Sequence, residues 1–322
     1  MFRKFDRDQR ITIAIFAAIA VVVLVLALSI KKSAGFNTIL LGLFYGCQYS
    51  LIAMGLSIIY SSTRVINFAQ GELSVLGGAF FLTFVERASV PMLLAFILAV
   101  LVVASIGALF ERAAIHPLKD SSIITMIIMT IGFSIFLRGI IKWVWGANAL
   151  PVEPFTHGLP LHFLGATVER QSVWVFGFTF LVVIGVYFFF NRTLLGKGMR
   201  AAAENPDAAN LVGVSPSRSS LIAWTMAAAL GAAAGVMFAP KTLVSWDQGV
   251  WLGVKGFSAA VLGGLGNVMG AVVGGLTLGV LEFVVLMFIK PEYQNIIALS
   301  VLIVVLLLRP QGIIGKTESL TV

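Results

Sequence analysis

The stretch ITIAIFAAIAVVVLVLALSI, Ile11 to Ile30, contains no charged residue. Its length matches the roughly 20 apolar residues that a helix needs to cross the hydrocarbon core of a bilayer. Arg3, Lys4, Arg7 and Arg10 precede it. A secretory signal would have a shorter apolar core, roughly 7–15 residues, and a small-residue cleavage site. The stretch therefore reads as a retained membrane helix with its N-terminus on the inner side. Further apolar runs follow Pro91, Asp120, Gln171, Ser220, Met269 and Asn295.

Composition agrees with that reading. Of 322 residues, 59% are hydrophobic and 11% charged, and the mean hydropathy is +1.01. A soluble domain is nearer half apolar and a quarter charged. The fold class expected is an all-α polytopic membrane protein of about eight to ten transmembrane helices, with short broken or re-entrant segments. A transmembrane β-barrel would alternate in segments of about ten residues, and none is present. The single cysteine, Cys47, excludes an intramolecular disulfide. The net charge of +8 would suggest nucleic acid in a soluble chain. Here it reads as basic loops on the cytoplasmic side, and no nucleic-acid partner is expected.

The expected spans are 11–30, 38–60, 71–86, 91–110, 121–142, 173–191, 219–239, 268–289 and 294–308. The Gly-rich segment 251–266 is too short for an ordinary span and reads as a broken crossing that returns inside. A re-entrant loop there would instead put the C-terminus outside. The segment 143–172 becomes an outer, periplasmic loop, and 192–218 an inner, cytoplasmic one. Inner segments then hold most of the Lys and Arg: Arg3, Lys4, Arg7, Arg10, Arg64, Arg112, Lys119, Arg192, Lys197, Arg200, Arg218, Arg309 and Lys316. That bias supports cytoplasmic N- and C-termini, although Lys31 and Lys32 oppose it. The chain is expected to be one membrane domain throughout.

Two patterns concern architecture. SVLGG at Ser74–Gly78 echoes AVLGG at Ala260–Gly264, and paired Gly-interrupted segments mark binding sites in transporters built from repeats. Gly266, Gly270 and Gly274 recur every four residues, as do Gly231 and Gly235. Such spacing predicts helix faces that pack closely in lipid.

The stretch KGMRAAAENPDAANLVGVSPSR, Lys197–Arg218, looks soluble by contrast. Asn205 is a good N-cap, and Pro206 fits the first helical position, where its missing N–H costs nothing. Asp207 suits the positive end of the helix dipole. Gly213 supplies a left-handed stop. A helix of about two turns is marginal alone in water, so Ala208, Leu211 and Val212 are expected to dock into a groove. The bland alternative is a capped turn between two membrane helices.

The company this stretch keeps decides between them. Tyr49–Phe80 (YSLIAMGLSIIYSSTRVINFAQGELSVLGGAF), Phe110–Leu137, Gly196–Val214, Lys255–Glu282 and RPQGIIG at Arg309–Gly315 occur together and in order. They resemble the permeases of branched-chain amino-acid ABC importers, specifically the first of the two membrane subunits. The span 11–30 looks like an addition relative to shorter members. The resemblance implies a second homologous permease, two ATP-binding subunits that hold ATP and Mg, and a periplasmic substrate-binding protein. It places the chain in the bacterial inner membrane. It makes 192–218 the loop that meets an ATPase, and its short helix a coupling helix carried by Arg200, Glu204, Asn205, Pro206, Asp207, Ala208, Leu211 and Gly213. It puts Asn67, Gln70 and Glu72, with Ser258, near the substrate path. The bland reading of Glu72 is a helix-start residue. Glu282 is left between a subunit contact and the pore.

Other classes fail on context. GKT at Gly315–Thr317 follows a membrane helix rather than a strand, so it is not a Walker A loop. A membrane serine protease would need His beside Ser258, but His116, His157 and His162 all fall in loops. No metal-ligand cluster or catalytic group is expected. The rival is an ion-coupled secondary transporter acting without ATPases. Such proteins often carry titrating membrane acids; here these are chiefly Glu72 and Glu282.

Overall fold

The structure is a computed structural model that describes residues 32–119, 121–163, 166–309 and 311–314. The expected span 11–30, its basic flank, Lys316 and the GKT triplet lie outside the described residues. The helices in chain order are α1 Lys32–Thr63, α2 Gln70–Leu82, α3 Met92–Phe110, α4 Ile123–Trp145, α5 Arg170–Arg192, α6 Leu194–Glu204, α7 Pro206–Leu211, α8 Pro216–Thr242, α9 Gln248–Gly263, α10 Val268–Val285 and α11 Gln294–Leu308. A small antiparallel hairpin, β1 Leu161–Phe163 and β2 Ala166–Val168, interrupts the loop between α4 and α5. Among the described residues, seven helices are long and apolar enough to cross a membrane. Two helices outside those seven, α2 and α9, also belong to the bundle. At 1.5 Å per residue they reach about 20 and 24 Å, and a π-helical turn, Thr83–Arg87, prolongs α2.

Local chemistry sets several helix starts. Ser122 accepts from the Thr125 N–H at the head of α4. Asn267 accepts from the Gly270 N–H at the head of α10, and Ser215 followed by Pro216 opens α8. The centre is built from small residues. α8 runs through Ala227, Ala228, Ala232, Ala233 and Ala234, all buried, and packs on α1, α2 and α3. A Cβ at Gly235 would collide with the Ser74 carbonyl of α2. α1 and α10 approach as closely, with Gly42 and Gly46 against Gly275 and Gly279. In lipid such contacts, rather than water expulsion, hold helices together. α3, α4, α5 and α11 carry large exposed apolar side chains, among them Leu93, Ile124, Phe180 and Leu307. A water-soluble monomer would not show so much apolar surface; lipid accepts it.

One glycine departs from expectation. Gly270 and Gly274 do face Gly263 and Ala259 across the α9–α10 contact. Gly266, however, is not on that helix face. It lies in the turn before α10 with φ +84, a left-handed conformation that glycine adopts at no steric cost. The SVLGG and AVLGG stretches also differ in setting. The first sits mid-helix in α2, while the second ends α9, with Gly264 already in the turn at φ +105.

Contacts sort the loops into two ends. Gly266 lies against the Tyr60 ring at the foot of α1. Beside that turn, Ile313 N–H donates to Leu262 O (2.8 Å) and Asn267 Nδ2 donates to Ile314 O (3.1 Å). His116 and Ser217 meet at 3.2 Å. Ile59, Val65, Phe110 and Ile115 share one apolar cluster, which joins these loops to the end that carries α6 and α7. At the opposite end, the Thr167 N–H of β2 donates to Asn37. Leu150 bridges Val244, Trp145 Nε1 donates to Thr83 Oγ1 and Lys241 pairs with Glu169. Between its two turns α9 therefore runs from one end to the other, and Ile314 lies at the α6–α7 end. This is the geometry of a returning crossing, not of a re-entrant loop. The helix itself is unbroken.

Replacing Gly235 with Leu is expected to lower stability by about 3 kcal/mol or more, because backbone rather than a flexible side chain blocks it. Gly132→Leu, where a Cβ meets nothing within 4 Å, is expected to be neutral in the isolated chain. Thermal unfolding followed by size exclusion in mild detergent compares the two.

Candidate functional site

Two regions of the chain hold chemistry that a lipid-embedded bundle does not need for packing alone. The first is the break between α1 and α2. α1 ends at Thr63, Arg64 takes a positive φ of 58, and the backbone runs non-helically to α2. Backbone polar groups at membrane depth need partners within the protein, and here side chains supply them. Asn67 Oδ1 accepts the Ala69 N–H at 3.0 Å, and Asn67 Nδ2 donates to Gln70 Oε1 at 3.2 Å. Gln70 Nε2 in turn donates to the Ala227 carbonyl of α8 at 2.8 Å. Thr130 of α4 accepts the Phe68 N–H at 3.2 Å, and its hydroxyl also lies 3.2 Å from the Ile66 carbonyl. Asn67, Gln70 and Glu72 are all buried.

Glu72 sits in the first turn of α2, as a helix-start residue would. Its carboxylate points outward from α2 to α4, where Arg138 Nη2 donates to Oε1 at 3.0 Å. Ser134, one turn earlier on α4, lies 3.4 Å from the same Nη2. Glycine at 249 is what leaves room for the carboxylate: a Cβ there would come within 2.9 Å of Glu72 Cδ. The backbones of α2 and α9 cross at this point, Gly71 against Gly249.

A second buried ion pair lies nearby. Lys255 of α9 donates to Glu282 Oε1 of α10 at 2.6 Å and to Tyr49 OH of α1 at 3.3 Å. Its ammonium also lies 5.4 Å from the Tyr49 ring centroid. Glu282 thus points into the α1–α9–α10 contact within this chain. Ser258, one turn after Lys255, is buried and donates to its own helix at Val254 O. The structure brings Asn67, Gln70 and Glu72 together; Ser258 makes no hydrogen bond to them. Arg138 and Lys255 fall within the expected segments 121–142 and 251–266, and the sequence alone gives them no role. The signal available was a cation set well inside each of two apolar runs, matched by the two membrane acids.

The other region is the end formed by α6 and α7. Sequence reading foresaw one short helix, and α7 is it. Asn205 Oδ1 accepts the Ala208 N–H at 2.9 Å, and Pro206 opens the helix. Gly213 adopts φ +82, while Val214 N–H donates back to Ala209 O at 2.9 Å. Ala209 is buried and anchors the turn, whereas Glu204, Asp207, Ala208, Leu211 and Val212 are exposed, Leu211 by 89%. α6 was not foreseen. Thr193 caps it through the Gly196 N–H. Arg200 on α6 reaches back to α5, donating to Phe190 O at 2.6 Å and Asn191 Oδ1 at 3.3 Å. A cation at a helix C-terminus satisfies orphan carbonyls and the dipole together, so Arg200 fixes the hairpin to its root.

Comparison with known proteins points one way. Residues 38–306 match the family model described as branched-chain amino acid transport system / permease component. The chain is 34% identical over 293 residues to the high-affinity branched-chain amino acid transport system permease protein BraD of Pseudomonas aeruginosa, covering 86% of this chain and 94% of that one. It is 31% identical over 294 residues to the permease protein LivH of Salmonella typhimurium, with the same coverage. A probable LivH of Methanocaldococcus jannaschii is 28% identical over 304 residues, covering 88% and 94%.

Removing one member of the Lys255–Glu282 pair leaves a buried charge unpaired, at a cost of roughly 3–5 kcal/mol. Lys255→Met alone is expected to destabilise strongly. Lys255→Met with Glu282→Leu is expected to recover most of the loss. A double-mutant cycle on thermal unfolding in detergent measures the coupling.

Proposed function

This chain belongs to the branched-chain amino acid transport system permease family, and from that premise we propose that it is one membrane subunit of a bacterial ABC importer. A second, homologous permease completes the pathway. Two ATPases, holding ATP and Mg, dock at the α6–α7 end, and a periplasmic binding protein delivers substrate at the other. ATP hydrolysis is the work of those ATPase partner chains. The substrate is a branched-chain or similar hydrophobic amino acid, as the relatives' names indicate for those proteins. The path runs past Asn67, Gln70, Glu72 and Ser258.

The observation that carries the ATP-driven reading is α7. It is a short helix capped at both ends, anchored by Ala209 and presenting Leu211 and Val212 to the exterior. A stand-alone secondary transporter has no use for a rigid apolar peg outside the bilayer. Arg200 stiffens its base, and Glu204 and Asp207 supply exposed charge for a partner surface. Orientation follows from charge: Arg64, Arg112, Lys119, Arg192, Lys197, Arg200, Arg218 and Arg309 gather at the α6–α7 end, which the positive-inside rule makes cytoplasmic. The chain then lies in the inner membrane with both termini inside.

Purification of the tagged chain from its native membrane in mild detergent is expected to recover two ATPases and a second permease. A chain that purifies alone and transports in liposomes without ATP would return the rival, ion-coupled reading. Glu204→Lys combined with Ala208→Trp is expected to cut ATP-driven uptake by roughly tenfold or more, with normal amounts of chain in the membrane. Wild-type uptake by that variant would remove α7 from the coupling role.

A further inference from the structure

Arg138 is not among the residues that resemblance placed on the path, yet its surroundings set it apart from every other cation in the bundle. It lies on α4 seven residues, or about 10 Å, short of the helix end at Trp145. Its side chain is 29% exposed, whereas that of Glu72 is wholly buried. A guanidinium carries five N–H donors. Nη2 makes the contacts to Glu72 and Ser134, Nε is buried without an acceptor, and Nη1 makes no hydrogen bond within the described residues. Donors are therefore left unspent on a side chain that reaches the surface of a membrane helix.

Lipid cannot accept from those donors, and an arginine at this depth faces protein or water. The Arg138 edge of α4 is consequently not a lipid face, although Ile131, Ile135 and Phe136 around it are exposed. Glu72 offsets the positive charge, so the arginine is held in place without a resident anion. A visiting carboxylate then finds planar, oriented donors, yet no uncompensated charge to trap it. That combination suits a group that must bind and also leave. Phe68 has its N–H on Thr130, two turns below Arg138 on α4, and its ring lies 6.2 Å from Phe257 of α9. Its 40% exposure offers an apolar surface at membrane depth beside a helix break.

We propose that Arg138, positioned by Glu72 and Ser134, receives the carboxylate of the amino-acid substrate as it passes through the membrane, while the apolar side chain moves along Phe68 and Phe257. This rests on the importer reading above and adds a polar recognition point to it.

The test uses the whole complex in liposomes. Arg138→Gln with Glu72→Gln removes both charges and leaves neither unpaired. The expected result is a complex that still assembles, with leucine uptake reduced roughly tenfold or more. Wild-type uptake in the double variant would mean that Arg138 only balances Glu72, and would overturn the proposal. The unaltered complex provides a second readout that does not depend on folding of a variant. Phenylglyoxal labelling of Arg138, read by mass spectrometry, is expected to be blocked by leucine and not by leucinamide, which lacks the carboxylate. Absence of labelling would place Arg138 under the neighbouring subunit, and labelling indifferent to leucine would deny the contact; either result overturns it. Failure of the unaltered complex to take up any branched-chain amino acid on ATP would instead remove the importer reading, whatever the labelling shows.

Discussion

Everything central to this molecule depends on a backbone that stops being helical inside a bilayer and still satisfies its hydrogen bonds. Between Thr63 and Gln70 there is no helical ladder, and no lipid group can replace one. Asn67, Gln70 and Thr130 do so, each tying the break to a different helix. The cost of breaking a helix here is thereby converted into tertiary connection: the start of α2 is tied to α4 and α8. The acidic side chain that follows, Glu72, is fixed by the same arrangement and meets the arginine on α4.

The small residues matter for the same reason. Carbonyls of α8 come within reach of Gln70 only because Gly231 and Gly235 let the two backbones nearly touch. A polar side chain buried in a looser bundle would have found no acceptor. Close packing and polar satisfaction are here one condition met twice, and substitutions that enlarge the glycine face damage both.

Much of the fold was legible because its signals are local or periodic. Apolar runs marked the long helices of the described residues in their order. Asn205, Pro206 and Gly213 marked a helix from its two ends, and both caps are present where the chemistry asked for them. What escaped was set by distance in the chain. α6 has no strong signal of its own, since LLGKGMRAAAE is punctuated by two glycines; Arg200 holding the end of α5 is a tertiary fact. Gly266 fell on a helical spacing yet belongs to a turn, because a four-residue repeat cannot distinguish the last residue before a helix from the first within it. The ion pairs were hidden likewise. Lys255 and Glu282 are 27 positions apart, and Glu72 and Arg138 are 66 apart. The sequence displayed four isolated intramembrane charges and not how they were matched.

α9 joins these regions. Its first turn holds Gly249 against Glu72 and the Gly71 backbone. Its last turn receives the Ile313 and Ile314 N–H groups on the Leu262 and Gly263 carbonyls. Between them lies one unbroken helix with Lys255 clamped at its centre. A rod gripped at both ends and pinned in the middle has no slack. A displacement of the inner end would be carried along one unbroken rod to Glu72, and the carboxylate that steadies Arg138 stands at the tip of a lever whose handle is at the α6–α7 end.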